Sequence, residues 1–420
     1  MINNLAYQAV FGPQKEKSRQ KIRNLAKEKG IFLASTNNLY LARAKEEIPL
    51  NFTVPAINIR GMAYDIAQAV FQSANYVKAG AFIFEIARSE INYTNQSPEE
   101  YVVAIMAAAL KSGFKGPLFI QADHYQIKPD QPKEKEIEKL KKLIRQSIAA
   151  GFYNIDIDAS TLVDYSQRTI KDQQKNNYQI TAQLAQYTRQ IQPKGINISL
   201  GGEIGHIGGK NSTEEELRVF MEGFNSLFKD KTGLSKIAIQ TGTHHGGVVL
   251  SNGKLAKVDV DFEVLKNLAQ VARQYRMGGT VQHGASTLPD KYFSQFPKAQ
   301  AIEVHLATGF QNIIFDHPLF PKELLSKIYL WLDENQSNER ENLTSQQFHY
   351  KLRKKAWGQF KKEIWDLPKE IKGLIMDDLK KKFIFIFKAL NIENSKEIIE
   401  YYASEVKPAY RQAGLKTPRR

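Results

Sequence analysis

From Thr53 to about Pro321, short apolar runs alternate with longer stretches in which apolar positions recur every three or four residues. The short runs are TVPAINI, AFIFEI, PLFIQA, YNIDIDA, NISLGGEI, KIAIQTG, GTVQHG and AIEVHL. Runs of this kind, separated by helical patterns, predict parallel strands joined by crossover helices. Eight such units in roughly 270 residues match a closed (β/α)8 TIM barrel. An open doubly wound sheet normally has fewer strands and an early glycine-rich nucleotide turn, and no G-x-G-x-x-G follows the first strand here. The predicted fold class is α/β: a barrel over 53–321 carrying the active site, an N-terminal helical segment over 1–52 and a C-terminal helical extension over 322–420.

Individual helices carry their own punctuation. EKEIEKLKKLIRQSIAAG is amphipathic and stops at Gly151, and TEEELRVFMEGFNSLF opens with Thr213 as a cap and acidic residues in its first turn. Residues 14–29 predict a basic helix ended by Gly30. In the extension, Thr344 and Gln347 are spaced as a capping box, and Pro368 is expected to break a later segment. Its lysine and aromatic clusters, KLRKKAWGQFKKEIW and LKKKFIFIFKAL, read as a helix with one face solvated and the other docked on the barrel or on another subunit.

With 42% hydrophobic and 25% charged residues, the 420-residue chain can bury a sizeable core. Its formal charge of +15 favours phosphate-bearing partners. No nucleic-acid-binding module accompanies that charge, so phosphorylated small molecules rank ahead of DNA or RNA. Cysteine is absent, which removes disulfides and thiolate chemistry and leaves His, Asp and Glu as metal ligands. The first twenty residues lack the apolar core of a signal peptide, and Phe383 to Phe387 is too short to span a bilayer, so no membrane association and a cytoplasmic location are expected.

In a barrel of this type the carboxyl ends of the strands face the active site. Those ends hold Asp123 and His124, Asp158, Glu203, His245 and His283, with His305 inside the eighth strand. Histidines on three separate strands suit a catalytic zinc, whose ligands converge from different directions and leave one position open. A single such histidine is most often a hydrogen-bonded core residue. Neighbouring strand residues face opposite sides, so Asp123 and His124 share one site only if the strand ends there.

The motifs QADHY, DIDAS, GGEIGHIGG, GTHHGG, QHGAS and HLATGFQ occur in the order seen in class II, metal-dependent fructose-bisphosphate and tagatose-bisphosphate aldolases, which the chain resembles from about Pro55 to Gln311. That resemblance implies His124, His245 and His283 as zinc ligands, with His244 as a competitor of His245. It implies Asp158 and Glu203 at a second or displaced divalent-cation position, and Asp123 as the acid/base for the substrate hydroxyl. Gly246, Gly284, Ser286, His305 and Thr308 become the substrate-binding set, and an oligomer of identical subunits is expected. Arg60, Arg88 and Lys128, just beyond other strand ends, are candidates for a second phosphate.

The chain also departs from that family. Lys210 and Asn211 stand where an acidic pair is expected, one member of which exchanges the proton at the substrate carbon; Glu214, Glu215 and Glu216 are the nearest replacements. His305 replaces an Asn, Ala307 and Gly309 replace Asp, and Ala87 replaces a Ser. The leading expectation is a zinc-dependent aldolase splitting a ketose bisphosphate into dihydroxyacetone phosphate and an aldehyde. The alternatives are a non-catalytic sugar-phosphate-binding partner or regulatory subunit, and an enzyme of another reaction on the same barrel.

Overall fold

Among the described residues nine strands, all paired in parallel, form one sheet: β1 (Ile31–Ala34), β2 (Val54–Asn58), β3 (Ile83–Ala87), β4 (Gly116–Gln126), β5 (Asn154–Asp158), β6 (Ser199–Glu203), β7 (Lys236–Ile239), β8 (Thr280–Gln282) and β9 (Glu303–Leu306). The computed structural model describes residues 1–205, 210–242, 250, 260–340 and 342–403. Strands β2 to β9 follow one another round a ring, and a β4–β5 pairing closes it. This is a (β/α)8 barrel whose eight strands coincide with the eight apolar runs of the sequence.

The ninth strand lies outside the ring. β1 pairs with the first part of β4, from Ile31 opposite Gly116 to Ala34 opposite Phe119, and β5 takes over the same edge from Gln121 onward. The N-terminal segment is thus not helical throughout: Gly30, at φ 72°, turns the helix Lys15–Glu28 into a four-residue strand. A run that short carries too little periodicity to identify from sequence. The helix that follows, Asn37–Ala44, sits across the floor of the barrel, where Arg43 donates to the carbonyls of Leu50 and Phe52.

The predicted punctuation is present. Gly151 adopts φ 110° after the helix Lys133–Ala150, and Thr213 accepts from the Glu216 amide at the start of Glu214–Leu227. Thr344 and Gln347 form a reciprocal box at the start of Ser345–Leu352. Pro368 separates the short helix Lys361–Trp365 from the long helix Lys369–Ala389, breaking the segment as expected and standing at the cap of the second. Proline lacks an N–H but needs none at a helix start, where the amides are unpaired anyway. That long helix packs along Ala63–Val77, with Phe383 against Phe310 (ring centres 4.8 Å apart) and Phe387 against Phe82 (5.6 Å). Among the described residues no helix is long and apolar enough to cross a membrane.

Barrel interiors are usually filled with branched aliphatic side chains. Here the alternation along each strand turns Glu85, Gln121, Asp156, Lys236, Glu303 and His305 inward. The buried Lys236 ammonium uses its three donors on Gln121 Oε1 (2.6 Å), Asp156 Oδ2 (3.0 Å) and Glu303 Oε2 (2.6 Å). A charged, hydrogen-bonded column therefore supports the floor of the site.

Candidate active site

The strand β4 does not end at Asp123; it bulges. Its register with β5 slips between Ala122 and Tyr125, and His124 adopts φ 40°. One extra residue in a bulged strand breaks the strict alternation of faces. Asp123, His124 and Gln126 all reach the cavity at the carboxyl end of the barrel. Sequence spacing alone cannot reveal such a slip, and histidine tolerates positive φ better than most residues.

His124 and His283 lie with ring centres 4.2 Å apart. Together with Glu203 they present three ligand atoms within 4.8 Å of one another, a donor set suited to a divalent cation. Asp158 does not belong to that cluster among the described residues. Its Oδ1 accepts from Ser160 N (3.0 Å) and Oγ (2.7 Å), and its Oδ2 from Gln126 Nε2 (2.6 Å). The same Oδ2 lies 3.1 Å from His124 Nδ1, so Asp158 orients the imidazole. His244, His245 and Gly246 lie outside the described residues.

Charge explains the titration of this cluster. Burial alone would lower the His124 imidazole, but the carboxylates of Asp123 and Glu203, with hydrogen bonds to Asp158 and Glu203, push it well above its ordinary range. Glu203 is pushed up to about 8 by burial and by Asp158, against the pull of His124. Asp158 goes the other way: despite burial, its hydrogen bonds from His124, Ser160 and Gln126 hold it below the usual carboxylate range.

The turn after β8 builds a cradle of main-chain groups. Gly284 adopts φ 71°, and Ser286 Oγ accepts from the amide of Gly309 at 3.1 Å. This clamps the turn onto the helix Thr308–Phe315, and a Cβ at position 309 would come within 2.3 Å of the Ser286 carbonyl oxygen. Gly284, Ser286, Thr308 and His305 all line the same cavity. Such N–H-rich turns at a helix start are suited to phosphate.

That cavity measures about 900 Å³ and includes Arg60, Arg88 and Lys128. Arg60 pairs with Glu90 (2.7 Å), and Arg88 with Glu136 (2.8 Å). The extension contributes Leu343, Gln347, Tyr350, Lys351 and Lys354 to its wall. Apart from Gln347, read from the sequence only as part of a helix cap, these were not singled out there, and the lysines read as a solvated face. The signal was Leu352, Ala356, Trp357 and Phe360, all buried, which turn the intervening Lys354 toward the mouth.

A family model described as class II fructose-bisphosphate aldolase matches residues 36–360. The chain belongs to the class II fructose-bisphosphate aldolase family. It is accordingly an aldolase-type protein. Among solved structures it is similar to the fructose-bisphosphate aldolase of Campylobacter jejuni, at 17% identity and a TM-score of 0.52 over 87% of this chain and 96% of that one. It is also similar to the YdjI aldolase of Escherichia coli K12, at 14% identity and a TM-score of 0.51 over 87% and 100% of the two chains. At these identities the likeness carries the fold alone.

The departures from the class II aldolase pattern have visible structural roles. Lys210 pairs with Glu216 (2.8 Å), and Asn211 Nδ2 lies 3.3 Å from Asp261 Oδ2. Glu216 also closes the helix cap with Thr213, and Glu214 pairs with Arg218 (2.7 Å). None of Glu214, Glu215 and Glu216 lines the cavity. His305, in place of the family's Asn, lies buried against the acidic groups of the barrel interior.

Proposed function

We propose that this class II aldolase reversibly splits a ketose bisphosphate, fructose 1,6-bisphosphate or a close relative, into dihydroxyacetone phosphate and an aldehyde such as glyceraldehyde 3-phosphate, with zinc as its cofactor. The observation that carries the reading is the convergence of His124, His283 and Glu203 beside Asp123 in one cavity with basic groups along its wall. A divalent cation held there, with His245 as a further ligand, would act as a Lewis acid on the negative charge that carbon–carbon cleavage leaves beside a carbonyl.

The remaining roles belong to the chain itself. Asp123 takes the proton from the C4 hydroxyl as the bond breaks and returns it in condensation. The main-chain donors around Gly284, Ser286 and Thr308, with Gly246, hold one phosphate. Arg60, Lys351 and Lys354 attract the other.

The test is an assay of purified protein for triose phosphate released from fructose, tagatose and sedoheptulose bisphosphates, alongside metal analysis. Release from one of them with zinc bound is expected. Stoichiometric zinc with no release from any ketose mono- or bisphosphate would contradict the proposal. It would favour a non-catalytic sugar-phosphate-binding protein, a reading supported by the engagement of Lys210 and Asn211 in a helix cap and a surface contact.

A further inference from the structure

Lys354 projects from a clamped turn. Its neighbour Arg353 pairs with both carboxylate oxygens of Asp316 and donates to Asn312 Oδ1 at 2.7 Å, which ties the turn Arg353–Ala356 to the helix Thr308–Phe315. Ala356 and Trp357 are fully buried. The Lys354 side chain, itself half-buried, lines the cavity together with Arg60, Tyr93 and Lys351.

The enclosed lysines elsewhere are satisfied. Lys236 has its three acceptors, and Lys361 donates to Glu100 and to the Asn95 carbonyl. Lys354 Nζ has no hydrogen-bond or ion-pair partner among the described residues. Glu90, whose charge acts on it, already accepts from Arg60, Asn58 and the Ala87 amide. An ammonium deprived of water, without an acceptor and beside other cations is disfavoured relative to the free amine. Burial first, then Arg60, Lys355 and Lys351, hold it down at about 8 against the pull of Glu90. About a tenth of it is then free amine at pH 7. A lysine placed in this way is a nucleophile toward carbonyl carbon. Arg60 and Lys351, which disfavour the ammonium, are also what draws a phosphate to this wall.

From this arrangement we infer that Lys354 is a site of reversible imine formation with phosphorylated aldehydes, the phosphate drawn in by Lys351 and Arg60 and the carbonyl carbon attacked by Nζ. The amine lone pair forms the C–N bond, the carbonyl oxygen leaves as water after proton transfer, and hydrolysis restores the lysine. Nothing is oxidised or reduced. The site goes beyond the aldolase reading above and is separate from the metal-dependent cleavage; under that reading the released aldehyde phosphate is one such compound, and its adduct a brake on turnover.

The test incubates the full-length protein near pH 7 with glyceraldehyde 3-phosphate, reduces the imines with cyanoborohydride and maps the modified lysines by peptide mass spectrometry. Lys354 is expected to be labelled about tenfold faster than exposed lysines such as Lys142. With unphosphorylated glyceraldehyde that preference is expected to shrink severalfold, and excess inorganic phosphate is expected to slow labelling of Lys354 and not of Lys142. Labelling of Lys354 no faster than that of Lys142, a preference that survives removal of the phosphate from the aldehyde, or labelling indifferent to inorganic phosphate would each overturn the inference. The labelling needs no turnover, so a protein that cleaves nothing still decides it, and an unlabelled Lys354 leaves the aldolase reading standing.

Discussion

Trp357, in the C-terminal extension, donates its indole N–H to Gln311 Oε1 on the last barrel helix at 3.0 Å. The ring is fully buried and packs so closely on Gly61 that a Cβ there would come within 2.2 Å of it. The same Gln311 oxygen lies 3.4 Å from Arg60 Nη1, so one amide joins the extension to the basic end of the cavity. Trp357→Ala is expected to lower unfolding stability by about 3–5 kcal/mol, and to raise KM more than it lowers kcat. Denaturant unfolding and steady-state kinetics check both.

Lys354 stands three residues earlier, inside the cavity wall. Burial, then the nearby Arg60 with Lys355 and Lys351, holds its ammonium down at about 8, against the opposing pull of Glu90. The charged form is the one that attracts phosphate. Below about pH 8 the group is expected to bind phosphate, and kcat/KM for a phosphorylated substrate is expected to fall as pH rises through that value. Lys354→Met is expected to raise KM about tenfold near pH 7 and to flatten this alkaline limb. A pH profile with an unchanged limb in the variant would contradict the role.

Changes at Asp123 and His283 are expected to separate turnover from metal binding. Asp123→Ala is expected to keep its zinc and lose about 100- to 10,000-fold in kcat. His283→Ala is expected to lose zinc and activity together. Metal analysis of the dialysed variants, set beside their rates, distinguishes these patterns.

Lys236 compensates two buried carboxylates. Lys236→Met leaves Glu303 and Asp156 facing each other without it and is expected to cost about 3–5 kcal/mol. Asp156 is already pushed up to about 6, by burial and Glu303 against Lys236, from an ordinary value of 3.8. A carboxyl raised in the folded state contributes stability at low pH that is lost as pH rises through about 6. The variant's deficit should therefore shrink on acidification from pH 7 toward pH 5, which unfolding curves at several pH values measure.

The barrel was legible because each of its strands is an apolar run bounded by a helical pattern, and the site because His124, Glu203 and His283 stand at strand ends. What the sequence concealed depends on three-dimensional closure. The slip at His124 is a backbone event that leaves no residue-type signature beyond the adjacent Asp and His. The interior column was written in the strands as Glu85, Lys236 and Glu303, single charges in otherwise apolar runs, but alternation alone does not say which cross-barrel partner meets which. β1 was too short to stand out. Lys354 was hidden because its place in the cavity wall comes from where Trp357 docks, and no local pattern specifies that contact.

The most direct test of the metal-dependent aldolase account is a zinc titration of chelator-stripped protein, with triose phosphate release followed at each addition. The account predicts negligible cleavage at the start, a rise in proportion to bound zinc, a plateau near one equivalent per chain, and no such rise for His283→Ala. Cleavage that persists in the stripped protein, or a fully zinc-loaded protein that releases nothing, would contradict it.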